Sequence, residues 1–154
     1  MKELTGSASR VLEAPIEDCF ALLEAVDRYP DWHPDVVRRV EVVQQDPDGR
    51  PARVRTLLHF ARGKLVRDFN LLMAVATDQP EAVTLTRVPN EPTDRERFEV
   101  RWRLDPRDAA TRVQLNIVAD LSVPRLLPLG GIGDAMATGF IDAAAGALQH
   151  RTGG

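Results

Sequence analysis

The chain has 154 residues, a length typical of one domain that can bury its own core. Hydrophobic residues make up 44% and charged residues 28%, a balance that excludes an intrinsically disordered chain. The formal net charge of -3 disfavours binding to nucleic acid or to an anionic membrane through overall charge.

Cysteine content and apolar runs bear on the cellular compartment. Cys19 is the single cysteine, so an internal disulfide and a thiolate zinc cluster are both excluded. Residues 1–10 lack the apolar core of a secretion signal, and no stretch approaches the roughly 18 apolar residues of a membrane span. We therefore expect a cytoplasmic protein. We also expect one domain over residues 1–151 and a frayed tail over 152–154.

The first elements are predicted to be a strand and a helix. Residues 5–13 have an extended pattern that Pro15 ends, and proline suits the first turn of a helix. Apolar residues over 16–26 recur at spacings of three and four, which predicts a helix. The stretch 27–35 contains two prolines and two large aromatic side chains, so it predicts a loop or a one-turn helix.

From Val36 onward apolar and polar residues alternate, which predicts a series of β-strands. Short turns join these strands, and strands joined in this way form an antiparallel meander. The predicted strands are one that begins at Val36 and five more over 53–60, 65–75, 83–87, 96–104 and 113–121.

The last predicted element is a long helix over 134–150, which is rich in alanine, contains no proline and has Asp134 as its candidate N-cap. This order of elements predicts an α+β domain. Its curved antiparallel sheet of about seven strands would wrap around the C-terminal helix, with one or two short helices after the first strand.

Two segments resemble the START-like superfamily, the SRPBCC proteins, which include polyketide cyclases and dehydrases and lipid-transfer proteins. They are residues 9–20 (SRVLEAPIEDCF) and 26–34 (VDRYPDWHP), and the glycine-rich run before the alanine-rich last helix is also similar. The resemblance covers nearly the full length and implies the helix-grip fold. Members of this superfamily differ widely in function, so the fold alone does not assign one.

A wide sheet face that carries aromatic residues, opposite a helix of small side chains, favours an internal apolar cavity. The alternative is a fully packed core in which the alanines let the helix lie close to the sheet. Trp32 is interpreted either as an anchor of its loop or as part of the cavity mouth, and Trp102 either as core or as lining. The residues predicted to bind a ligand are Trp32, Leu58, Phe60, Phe69, Leu71, Met73, Phe98, Val100, Trp102, Leu115, Met136 and Phe140.

Few residues point to catalysis or to a metal. The spacing Asp31-x-His33-x-Asp35 resembles a metal site only weakly, because aspartates beside prolines are ordinary turn residues. His33 is the histidine to test as an acid or base, since alternation places His59 outside and His150 lies near the end. We predict no metal and no cofactor, and no catalytic residue is assigned.

Three functions follow, in order of preference. The first is binding or carriage of a small hydrophobic ligand, either aromatic polyketide-like or isoprenoid- or lipid-like. The second is a polyketide aromatase/cyclase or dehydratase that acts in the same cavity. The third function is an interaction module that docks an acidic partner, such as an acyl-carrier-type protein, or RNA. It would use arginines on the outer sheet face, namely Arg53, Arg55, Arg67, Arg95, Arg97, Arg101 and Arg103. In all three cases we expect a monomer or homodimer.

Overall fold

A seven-stranded antiparallel sheet forms the frame of the computed structural model, which describes residues 4–62, 65–120 and 132–152. Within these ranges three helices accompany the sheet, and a short 3₁₀ turn, Val26–Arg28, lies between the first two of them. The strands are β1 (Leu4–Leu12), β2 (Val37–Gln45), β3 (Pro51–Arg62), β4 (Leu65–Asp78), β5 (Ala82–Arg87), β6 (Arg97–Arg107) and β7 (Ala110–Asp120). The helices are α1 (Ile16–Glu24), α2 (Tyr29–Trp32) and α3 (Ile132–Thr152).

The strand order is β1-β7-β6-β5-β4-β3-β2, and every neighbouring pair is antiparallel. Strands β2 to β7 therefore form the predicted meander, and β1 joins the far edge by pairing Leu4 with Ala119. The predicted α+β helix-grip architecture is confirmed, with the sheet curved around α3. Among the described helices, none is both long and apolar enough to cross a membrane.

The first helix forms where the apolar stripe predicted it. Pro15 stands at its N-cap with an extended backbone, and its buried face includes Cys19, Phe20 and Leu23. The helix ends two residues before the predicted limit, because the chain winds into the 3₁₀ turn that begins at Val26. The predicted one-turn helix is α2.

The last helix begins earlier than predicted. It starts at Ile132, so Asp134 lies in its first turn, and the predicted N-cap role of Asp134 is wrong. The Asp134 carboxylate instead accepts the backbone N–H of Ser7 on β1, at 2.9 Å. Of the predicted tail over 152–154, only Thr152 is described, as the last helical residue, and the other two lie outside the described residues.

Two glycines set the distance between α3 and β1. A Cβ added at Gly6 would overlap the backbone of Gly133, and one at Gly133 would overlap the backbone of Thr5. Nine residues after Gly133 on α3, Asp142 pairs with Arg10 of β1, and Asp142 Oδ1 lies 2.8 Å from Arg10 Nη1. These contacts hold the first half of α3 against the sheet edge.

Candidate ligand cavity

An internal cavity lies between the inner face of the sheet, the α2 segment and the first half of α3. The volume open to the centre of a water molecule inside it is about 100 Å³. That is several times the roughly 10–15 Å³ that holds a single water, so the cavity has room for an organic ligand. It is lined by Leu4, Val26, Tyr29, Val36, Val37, Val40, Thr56, Leu58, His59, Phe60, Phe69, Met73, Leu85, Phe98, Val100, Ile117, Ala119, Ile132, Met136 and Phe140.

The cavity wall is almost entirely apolar, and its hydroxyl groups are already bonded to the protein. Tyr29 Oη donates a hydrogen bond to the Leu23 carbonyl at 2.6 Å, and burial raises the pKa of this phenol far above its ordinary value. Thr56 Oγ1 donates to the Leu71 carbonyl at 3.1 Å. An occupant would therefore find mainly apolar surface, which favours hydrocarbon over a polar molecule.

Most of the residues predicted to bind a ligand lie in this wall, although their binding role itself stays a prediction. Strands β3, β4 and β6 and helix α3 supply them. They are Leu58, Phe60, Phe69, Met73, Phe98, Val100, Met136 and Phe140.

Four of the predicted residues lie outside the wall. Trp102 and Leu115 face each other across β6 and β7, and both are at most 1% exposed. Leu71 is also a core residue, 4% exposed. These three share a sheet face with the lining residues but lie in its packed part, beside the cavity. Trp32 is partly buried against the same core.

An aromatic cluster closes one side of the cavity. The Phe140 ring lies 5.9 Å from Tyr29, 5.7 Å from Trp32 and 4.5 Å from His33, in edge-to-face arrangements. Tyr29 and Trp32 also contact each other, with ring centroids 4.9 Å apart. Trp32 Nε1 is buried and has no hydrogen-bond partner among the described atoms. The anchor interpretation of Trp32 therefore agrees with its contacts.

His33 is not a lining residue, but its ring contacts the wall residue Phe140. Burial lowers the pKa of its imidazole, and the nearby Asp35 carboxylate partly opposes this effect. In the motif Asp31-x-His33-x-Asp35, the first carboxylate has another partner, since Asp31 Oδ2 lies 3.5 Å from Arg28 Nη1. Within the described ranges, no three His, Cys, Asp or Glu side chains are grouped to hold a metal ion.

His59 borders the cavity, and the β3–β4 register agrees with the prediction that its side chain lies on the outer face. Its Nδ1 atom lies 2.7 Å from Oδ1 of Asp68, the directly opposite residue on β4. Its side chain is 22% exposed. Cross-strand partners share a face, so His59 and Asp68 both lie on the face opposite Leu58 and Phe69.

Arg67 was predicted on the outer sheet face, and that prediction is wrong. It pairs with Phe60 in the β3–β4 register, and cross-strand partners share a face. Its guanidinium carbon lies 5.4 Å from the centre of the Phe69 ring, a cation–π distance. Both aromatic residues line the cavity, so Arg67 belongs to the cavity side.

Sequence reasoning missed the lining residues from β2 and the segment before it. Val36, Val37 and Val40 lie in the wall, as does Tyr29. Alternation from Val36 could have found Val40, but not Val37, because a register shift between Val37 and Arg39 breaks the period. Tyr29 is defined by its packing on Phe140, which is distant in the sequence and leaves no local signal.

A family model described as polyketide cyclase / dehydrase and lipid transport matches residues 12–145. Among solved structures, the chain is similar to a START superfamily protein from Mycobacterium smegmatis, with 18% identity, a TM-score of 0.70 and coverage of 96% of this chain and 95% of that one. It is also similar to the Zhui aromatase/cyclase from Streptomyces sp. R1128, with 14% identity, a TM-score of 0.66 and coverage of 98% and 96%.

A third similar structure is a STAR-related lipid transfer protein from Xanthomonas axonopodis, with 19% identity, a TM-score of 0.65 and coverage of 93% of this chain and 84% of that one. At such identities these likenesses show the fold alone. No curated protein sequence matches this chain.

Proposed function

We propose that this chain, which belongs to the polyketide cyclase / dehydrase and lipid transport family, binds or carries a small hydrophobic ligand in its internal cavity. The predicted START-like membership is thus confirmed, and the ligand is the part that is proposed. An aromatic polyketide-like or an isoprenoid- or lipid-like molecule suits the cavity. The observation that carries the proposal is an apolar wall whose hydroxyl groups are already bonded to protein carbonyls.

The energetic argument is that such a cavity holds water poorly. A buried water usually makes about three hydrogen bonds, and cavities lined by apolar side chains stay dry. Each Å² of apolar ligand surface transferred into the cavity contributes about 25 cal/mol. An apolar ligand also restores the dispersion contacts that side chains such as Phe98 and Met136 lack on their open side.

Fluorescence of N-phenyl-1-naphthylamine, which rises in apolar surroundings, tests the proposal. We expect saturable binding to the wild type and its loss in Val100→Trp and in Ala119→Leu, because both substitutions fill the cavity from the sheet side. Val43→Trp is the control, since Val43 is 46% exposed on β2. Wild-type affinity in a folded cavity-filling variant, judged by circular dichroism, would place binding elsewhere.

Native mass spectrometry of the gently purified protein adds a direct test of occupancy. A co-purified hydrophobic molecule, absent from Val100→Trp, supports carriage and reveals its mass. The same spectra distinguish a monomer from a homodimer. The cytoplasmic location remains a prediction from the sequence.

A second candidate is catalysis in the same cavity, as a polyketide aromatase/cyclase or dehydratase. It would use His33, whose ring lies 4.5 Å from that of the wall residue Phe140 and whose pKa is lowered by burial. Turnover of a poly-β-keto substrate should disappear in His33→Ala. Equal turnover by the variant and the wild type would remove His33 from any mechanism.

A third candidate is docking of an acidic carrier-type protein on the outer sheet face. Arg53 and Arg55 on β3 and Arg101 and Arg103 on β6 are exposed there, although Arg101 already pairs with Glu99 at 2.7 Å. Such binding should weaken steeply as salt rises, because exposed charges are screened. Lack of binding to an acyl-carrier protein at low salt would exclude this candidate.

A further inference from the structure

Arg67 places a positive charge on the cavity side of the sheet, and a purely apolar ligand would form no ion pair with it. Arg67 is exposed, yet its guanidinium rests on the ring of Phe69, which is part of the cavity wall. Its cross-strand partner Phe60 is also part of the wall. The guanidinium therefore lies beside the apolar surface that a ligand would cover, and not on a remote solvated face.

No protein carboxylate neutralises this cation within the described part of the chain, where Arg67 forms no ion pair. The adjacent Asp68 is unsuitable because successive residues of a strand point to opposite faces. Its Oδ1 is instead 2.7 Å from His59 Nδ1. Arg67 thus keeps its guanidinium N–H groups for an external acceptor.

We infer that the ligand is an amphipathic anion, with its apolar body in the cavity and a carboxylate or similar group at Arg67. This inference rests on the proposed function and adds the chemical class of the ligand. A guanidinium presents paired N–H donors that match the two oxygens of a carboxylate. Within the wall, the Tyr29 and Thr56 hydroxyls donate to backbone carbonyls, so the anionic group would lie at the exposed end.

Displacement of bound N-phenyl-1-naphthylamine by decanoate and by decanol tests the inference. These competitors share a ten-carbon body and differ in charge. We expect the wild type to bind decanoate about five-fold more tightly than decanol, the size of effect that a partly exposed ion pair gives. In Arg67→Gln the two affinities should become equal, through weaker decanoate binding and unchanged decanol binding. The wild-type preference should also decline as salt is raised.

Arg107→Gln is the matched control. It removes the same charge at the far end of β6, where Arg107 pairs with Ala110 beside the last turn. Its preference for decanoate should equal that of the wild type, which excludes an effect of net charge alone.

The possible results distinguish a failure of this inference from a failure of the proposed function on which it rests. Equal wild-type affinities for the two competitors, or a preference that survives in Arg67→Gln, would overturn the assignment of the anionic group while leaving the cavity as a binding site. Failure of the fluorescent reporter to bind, or of both competitors to displace it, would overturn the proposed function and this inference together.

Discussion

Replacing Gly133 by alanine tests the contact that positions α3 beside the cavity. A Cβ at this position would overlap the Thr5 carbonyl oxygen and lie 2.6 Å from its carbon, far inside the normal separation of about 3.5–4.0 Å. The obstructing atoms belong to the backbone, so no rotamer change can relieve the overlap. We therefore expect β1 and the start of α3 to be forced apart.

The expected magnitude is the difference between two opposing effects. Alanine in a helix is more favourable than glycine by about 1 kcal/mol. Overpacking costs about 1–3 kcal/mol, and a clash with fixed backbone belongs at or above the upper end. We expect Gly133→Ala to lower the free energy of unfolding by about 2 kcal/mol, measured by urea denaturation with circular dichroism.

Gly139 offers a matched control in the same helix, because a Cβ there would meet no atom within 4 Å. Gly139→Ala should raise the free energy of unfolding by about 0.5–1 kcal/mol. The same substitution thus has opposite signs at two positions of one helix. If Gly133→Ala proved as stabilising as Gly139→Ala, the reasoning that glycine at 133 sets the spacing between helix and sheet would be refuted.

Three further predictions concern polar side chains. Tyr29→Phe should lower the free energy of unfolding by about 1–2 kcal/mol, because the Leu23 carbonyl loses its buried donor; an unchanged urea midpoint would show that another donor replaces it. The hydrogen bond that Arg87 donates to Asp94 holds the pKa of this carboxyl far below its usual range. The ionised Asp94 therefore stabilises the fold at neutral pH, and this contribution is lost as the pH falls below about 4. Asp94→Asn should therefore show a smaller loss of melting temperature between pH 7 and pH 3 than the wild type, and an equal loss would contradict this account. Burial lowers the pKa of His33, so the unfolded chain protonates first below about pH 6.5 and stability declines with falling pH; His33→Gln should decline less between pH 7 and pH 5 in the same melting assay.

Periodicity predicted the elements well because it reports which face of a strand is buried. The residues Leu58, Phe69 and Val100 were placed on the inner face for this reason, and the structure has them there. Periodicity says nothing about position along the sheet, however. Trp102 and Leu115 have the same pattern, yet they lie where helices cover the sheet and no space remains.

The arginine that sequence reasoning misplaced lies where two strands extend past their neighbour. Arg67 is on the part of the β3–β4 pair that reaches beyond β2, and its surroundings depend on register and on distant segments. The Tyr29 contact with Phe140 joins α2 to α3, across most of the chain. Such contacts are consequences of the fold and have no local pattern.

The pairing of the first strand with the last has a consequence for when the protein can acquire a ligand during its synthesis. Leu4 on β1 and Phe140 on α3 are both part of the cavity wall. Strand β1 can pair with β7 only after β7 has been synthesised. A nascent chain that lacks α3 therefore presents an open apolar sheet, which a chaperone must shield or which risks aggregation. Loading with ligand would follow the synthesis of α3, and the loaded protein should also unfold more slowly, since the ligand must escape before the sheet and α3 can separate.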